Sequence, residues 1–170
     1  PALGGLGSGT FEDDDFAMVT VTHATLGEAA FGIAPGDAEV WATLRTRADE
    51  RMAALCTAAE ALVGEVAASE GLGCQLDYHE VFASCVNEPD AVEHLRRALD
   101  EEGITHREAG LPMRASEDFG VFGAEAKSAM FFLGAGTDHP ALHNPDYDFP
   151  DSLIPIGAAA FLRVARNILG

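Results

Sequence analysis

Residues 37–73, DAEVWATLRTRADERMAALCTAAEALVGEVAASEGLG, change period part-way along. From Asp37 to Thr46 apolar and polar residues alternate, the pattern of a strand with one covered face. From Arg47 onward Met52, Leu55, Leu62, Val63 and Val66 recur at helical spacing in a run rich in alanine and glutamate. This predicts an amphipathic helix of about five to six turns that ends near Gly71 or Gly73. Upstream, FAMVTVTHA (16–24) alternates in the same way, and the APGD stretch (34–37) supplies turn chemistry between the two strands. Downstream, CQLDYHEVF (74–82) alternates again, with Leu76 and Tyr78 on one face and Gln75, Asp77 and His79 on the other. Two strands, a helix and a third strand make an α+β layer with the helix over one face of the sheet.

The chain changes character at residues 84–87. Asn87 stands where a helix cap is expected, Pro89 suits a first turn, and Val92, Leu95 and Leu99 form an apolar stripe that Gly103 ends. SAMFFLGAG (128–136) is a continuous apolar run closed by glycines, the mark of a strand covered on both faces. DSLIPIGAAAFLRVARNIL (151–169) predicts a last helix, with Pro155 in its first turn and Ile156, Ala160, Val164 and Ile168 as its inner edge. Residues 1–15 are glycine-rich and then acidic, which predicts a linker or tether. The fold class expected is therefore α/β in the second half, joined to an α+β first half. Both sheets hold few strands, and open edges of this kind invite pairing with another chain.

Composition excludes some functions. Acidic residues number 28 against 10 basic ones, a net charge of −18, which repels nucleic acid and anionic membranes. No stretch reaches the roughly 18 apolar residues of a membrane span, and the first residues lack a basic region before an apolar one. The expectation is a soluble, cytoplasmic protein with neither nucleic acid nor membrane as partner. Cys56, Cys74 and Cys85 are widely spaced with no CxxC pair, so three reduced thiols are expected.

Chemistry concentrates in two short stretches. In LHNPDYDF (142–149), Pro145 rules out a continuing helix and leaves His143 on a loop, a posture suited to a metal ligand, with Asp146 and Asp148 close behind. A hydrogen-bonded surface histidine is the plainer alternative. His139 is read as a loop residue, since Pro140 prevents a helix from aligning it with His143. In ASEDF (115–119), Ser116, Glu117 and Asp118 read either as a capped helix start or as residues lining a site near the end of the 128–136 strand. His23, His79, His94 and His106 show no ligand spacing, and the EDDD run (12–15) reads as a solvated tether.

Taken in order, AAFGIAPGDAEVWATLRT, VNEP, ASEDF, FFLGAG and LHNPDYDF…LIPIGAAAF resemble the peptidase M20 family of metal-dependent amidohydrolases, closest to the branch that hydrolyses N-acyl amino acids, hippurate and auxin conjugates. The resemblance runs from about residue 18 onward. It implies a partial lid and dimerisation domain at 18–86, the C-terminal part of a zinc-peptidase-like α/β catalytic domain at 87–170, and a chain N-terminally incomplete relative to the family. His143 matches the family's last metal ligand, for zinc or manganese first, with cobalt or nickel also suited to such donors. Ser116, Glu117, Asp118 and Asn144 match residues lining the cleft, and Arg45 becomes a candidate for gripping a substrate carboxylate. The general base and the other ligands belong to a part of the family pattern that these residues do not match, so no catalytic residue is assigned and the isolated chain is expected to be inert. The resemblance further implies a homodimer formed through the lid, and a small N-acyl amino acid or peptide substrate. Gly32 departs from the family, whose lids carry an asparagine there. A non-catalytic dimerisation module and a di- or tripeptidase are the alternative functions.

Overall fold

The computed structural model describes residues 2–170, which divide into two compact units, the first ending at Ser84 and the second running from Cys85 to Gly170. Together they form a mixed α/β chain with one small antiparallel sheet.

In the first unit, β1 (Ala17–Leu26) and β2 (Ala38–Thr46) pair as an antiparallel hairpin from Ala17↔Thr46 to Leu26↔Ala38. Thr22 is the extra residue of a bulge between Val21 and His23, and its hydroxyl donates to the Trp41 carbonyl at 3.4 Å. The connection is longer than a tight turn. Gly27 closes it by donating its N–H to Asp37 at 2.8 Å, in a left-handed conformation (φ 54°) that puts the position of a would-be Cβ 2.7 Å from Pro35. Only a residue without a Cβ fits there.

Helix α1 (Asp49–Ser69) follows as the change of period predicts. Leu55, which is 1% exposed, and Ala59 are its most buried residues, and Phe16 and Ala17 complete this unit's core. The helix ends at Gly71 (φ 67°), where Leu72 N–H donates back to the Ala67 carbonyl at 2.8 Å in the manner of a Schellman cap. Its length and mean hydropathy of 1.3 would by themselves suit a membrane span, which counting unbroken apolar runs does not reveal because Thr57 and Glu60 interrupt them. Glu60 and Glu65 lie along the helix, and its buried stripe packs on the hairpin.

Two expectations for this unit change. The 74–82 stretch is not a third strand of the sheet, which holds β1 and β2 alone among the described residues. It runs back along α1: the Tyr78 hydroxyl donates to Glu60 at 2.8 Å, and Ser84 N–H donates to the Asp49 carboxylate at 2.7 Å. Gln75 and Asp77 hydrogen-bond to each other at 2.9 Å, and both are exposed. The lateral neighbour of the stretch is a helix. Burial against α1, and then the hydrogen bonds to Glu60 and Cys56, hold the Tyr78 hydroxyl un-ionised well above the usual tyrosine range.

The N-terminal stretch carries more structure than a tether needs; Pro1 lies outside the described residues. Residues Leu3–Leu6 form a 3-10 turn, and Ser8 and Ala17 exchange backbone hydrogen bonds at 2.8 and 2.9 Å. From α1, Arg51 donates to the Asp15 carbonyl (3.1 Å) and the Ser8 hydroxyl (2.9 Å), while Arg47 donates to the Glu12 carbonyl (2.8 Å). The four acids remain exposed.

The second unit packs α2 (Pro89–Glu101) against α3 (Leu153–Leu169). Ala98 and Ala160 are fully buried, and small residues at such positions let two helices approach closely. Arg163 ties the pair by donating to Glu102 at 2.6 Å, beside an Asn167 to Glu101 hydrogen bond at 2.9 Å. Gly103 (φ 66°) ends α2 as expected, with Ile104 N–H on the Leu99 carbonyl at 2.8 Å. The inner edge of α3 is rotated from the one read in the sequence: Gly157 and Ala160 are buried and Val164 half-buried, whereas Ile156 and Ile168 are exposed.

The cap of α2 is also shifted by one residue. Glu88, not Asn87, is the N-cap, its carboxylate accepting the Ala91 N–H at 3.0 Å, with Pro89 next in line. Residues 128–136 take no regular secondary structure and form no ladder with another strand among the described residues. Their pairing is with the start of α2: Glu88 N–H donates to the Ser128 carbonyl at 2.9 Å, and the Asn87 side chain takes both backbone groups of Met130.

Candidate functional site

The loop between the 128–136 segment and α3 carries His143. Asn144 N–H donates to the Ala141 carbonyl and Tyr147 N–H to the Asn144 carbonyl, both at 3.0 Å, so two turns follow one another through the LHNPDY stretch. His143 sits in the left-handed region at φ 71°; among the described residues only Glu80 is another non-glycine with positive φ. For an L-residue this conformation costs on the order of 1–2 kcal/mol, although histidine adopts it more readily than most. The imidazole is exposed. His139 lies in the same loop, its ring edge-on to Tyr147 at 5.1 Å and its Nδ1 3.0 Å from the Pro140 carbonyl, contacts that brace the turn.

Ser116, Glu117 and Asp118 are exposed; Ser116 and Glu117 precede a short 3-10 helix, Asp118–Ala124, and Asp118 opens it. Its N-cap is Glu117 with no side-chain cap bond, so the capping role expected of Ser116 is not the one it takes. Phe119 anchors the turn through its ring contact with Phe122 at 5.3 Å. Glu117 also bears on Cys85: removal of the thiol from water, and then the nearby Glu117 charge, push the Cys85 pKa up. The reaction of Cys85 with a thiol reagent, followed by peptide mass spectrometry, should therefore rise at a higher pH than that of an ordinary cysteine. Glu117→Gln removes the negative charge and should move the rise to lower pH. An unmoved profile would show that Glu117 does not bear on the thiol.

Asn144 is exposed beside His143, and Asp146 and Asp148 are exposed beyond it. Arg45 is half-buried on β2, paired in register with Met18, and belongs to the first unit, whereas the other predicted site residues all belong to the second. Gly32, at φ 75°, has open space where a Cβ would project.

Among the described residues no three His, Cys, Asp or Glu side chains come together as a set that could hold a metal ion. The donors present thus do not by themselves fit a metal centre, which takes about three protein ligands. An open groove of about 570 Å³ lies between residues 86–89 and 123–128, and no predicted site residue lines it. Its wall includes Lys127, whose ammonium pairs with Asp90 in the first turn of α2; that hydrogen bond, and then the charge pairing, lower the Asp90 pKa and raise that of Lys127. Sequence reading missed this pair and the Asn87 to Met130 pairing because the partners are 37 and 43 residues apart.

Comparison with known proteins places the chain in a family. The model of peptidase family M20/M25/M40 matches residues 4–167. The chain belongs to that family. It is 31% identical over 140 residues, 79% of its length, to an N-acetyldiaminopimelate deacetylase of Halalkalibacterium halodurans, and 25% identical over 155 residues, 89% of its length, to one of Bacillus velezensis. It spans 37% and 41% of those two relatives. No solved structure matches it.

Proposed function

We propose that this chain is the C-terminal part of a metal-dependent amidohydrolase that cleaves the amide bond of an N-acyl amino acid. The observation that carries this reading is the family match from residue 4 to residue 167, joined to two relatives named as deacetylases of an N-acetylated amino acid. In this reading the first unit is part of a lid and the second part of a catalytic domain. His143 offers its imidazole to the metal from the exposed turn. Glu117 and Asp118, with Ser116 and Asn144, position substrate at the cleft. Arg45 receives the substrate carboxylate, which a guanidinium binds through two parallel hydrogen bonds. Zinc or manganese suits such donors, with cobalt and nickel next. Since His143 is the one metal ligand assigned among the described residues and no general base is assigned, no catalytic step is derived from them, and the chain alone is expected to be inactive.

The hairpin favours an accompanying role in dimerisation. Beyond the Ser8 bridge at Ala17, the outer edge of β1 pairs with no strand, nor does that of β2, among the described residues, and Val21, Leu26, Val40 and Trp41 are exposed on the hairpin, which suits pairing with a second copy.

The test is a substrate panel on the complete protein. N-acetyl amino acids should be deacylated, di- and tripeptides should be poor substrates, and a chelator should abolish turnover until zinc or manganese is restored. Activity that survives chelation would contradict the proposal, and preference for peptides would favour the peptidase reading.

A further inference from the structure

The side chain of Asn87 does the work of a strand. Its Nδ2 donates to the Met130 carbonyl and its Oδ1 accepts the Met130 N–H, each at 2.8 Å, so one carboxamide satisfies both backbone groups of a residue 43 positions away. A carboxamide can do this because, like a peptide unit, it sets one donor and one acceptor side by side in a plane. With the Glu88 N–H on the Ser128 carbonyl (2.9 Å) and the Lys127–Asp90 ion pair, it fastens residues 127–130 to the start of α2.

The other side of the same segment rests on α3. A Cβ placed on Gly157 would lie 3.1 Å from Leu133 Cδ1, and the Phe131 and Phe161 rings lie 5.5 Å apart. The loop that carries His143 leaves from this segment after Gly136 and returns to α3, where Leu153 N–H donates to the Pro150 carbonyl at 2.9 Å. Both ends of the loop therefore stand on one base, formed by the 128–136 segment and α3.

We propose that Asn87 is a positioning residue for the His143 loop: by taking both backbone bonds of Met130 it fixes the height and rotation of the segment from which the loop springs. The proposal rests on the reading of that loop as part of the functional site, but its structural content can be tested apart from activity. Aspartate at this position keeps an acceptor for the Met130 N–H and loses the donor to the Met130 carbonyl; alanine loses both.

Nuclear magnetic resonance on the ¹⁵N-labelled chain separates the cases. In Asn87→Ala, Met130 amide exchange should quicken by about tenfold, the scale of one lost hydrogen bond, and the amide resonances of Gly134, Gly136, His143 and Asn144 should move. In Asn87→Asp, Met130 should stay protected while the same loop resonances move. Asp90→Asn, which breaks the neighbouring ion pair but leaves both Met130 bonds, should move the loop resonances much less than either Asn87 variant. Unmoved loop resonances in both Asn87 variants, or equal movement in Asp90→Asn, would overturn the proposal. If Asn87→Ala does not fold, Asn87→Asp decides. In the complete protein Asn87→Asp should lower kcat more than it changes KM. If instead His143→Ala has no effect on turnover while the loop resonances move in Asn87→Asp, the functional reading fails and the positioning role stands.

Discussion

Leu55→Ala is expected to destabilise the first unit by about 2–5 kcal/mol, the range found when a large aliphatic side chain is removed from a packed site. Leu55 is 1% exposed, the one large side chain that is fully buried among the described residues, and the other buried apolar residues of this unit are Phe16, Ala17 and Ala59. A core this small has little else to close around the lost volume. Domains of this kind are stable by only about 5–15 kcal/mol, so the loss would be a large fraction of the total. Urea unfolding followed by far-ultraviolet circular dichroism measures it. The midpoint should fall sharply for Leu55→Ala and scarcely for Leu72→Ala, whose side chain is 65% exposed just beyond the end of α1. Equal shifts in the two variants would show that α1 does not pack on the hairpin through the stripe described.

The second large effect is expected at His143. In the complete protein His143→Ala should lower turnover of an N-acetyl amino acid by at least ~100-fold, because changing even the groups that orient metal ligands costs 10–100-fold and removing a ligand should cost no less. His139→Ala should do much less, since His139 is engaged with Tyr147 and the Pro140 carbonyl. The assay is acetate release under matched metal concentration. Parity between His143→Ala and the unaltered protein would remove the histidine from the site.

The helices could be read from the sequence because each carries its own evidence. The spacing of Met52, Leu55 and Leu62 marks α1, and Pro89 and Gly103 bracket α2. Strands are different, since a ladder needs a partner that alternation does not supply. The alternation in residues 74–82 predicts a strand, yet residues 74–81 are exposed on both faces and the contact with α1 runs through Tyr78; alternation says nothing of what lies beside the backbone. The apolar run of 128–136 reports cover, and α3 supplies part of it; its pairing goes to the Asn87 side chain, which no local pattern announces. Asn87 suggests a cap for the same reason: an asparagine two residues ahead of Pro89 fits a local cap, whereas its actual partner, Met130, is distant in sequence. At the candidate site, Pro145 makes the His143 turn legible. The left-handed φ of His143 is not legible, because it depends on how the two turns join. Nor does the sequence reveal that the described residues gather no three metal donors, which is a fact of three-dimensional placement.

The account rests on the imidazole of His143 binding a divalent metal, and the direct measurement is an anomalous-scattering map of the metal-loaded complete protein. A zinc or manganese peak at bonding distance from a His143 ring nitrogen, about 2.0–2.1 Å for zinc, is the predicted result. A peak held entirely by other residues, with the His143 ring pointing into solvent, would contradict it.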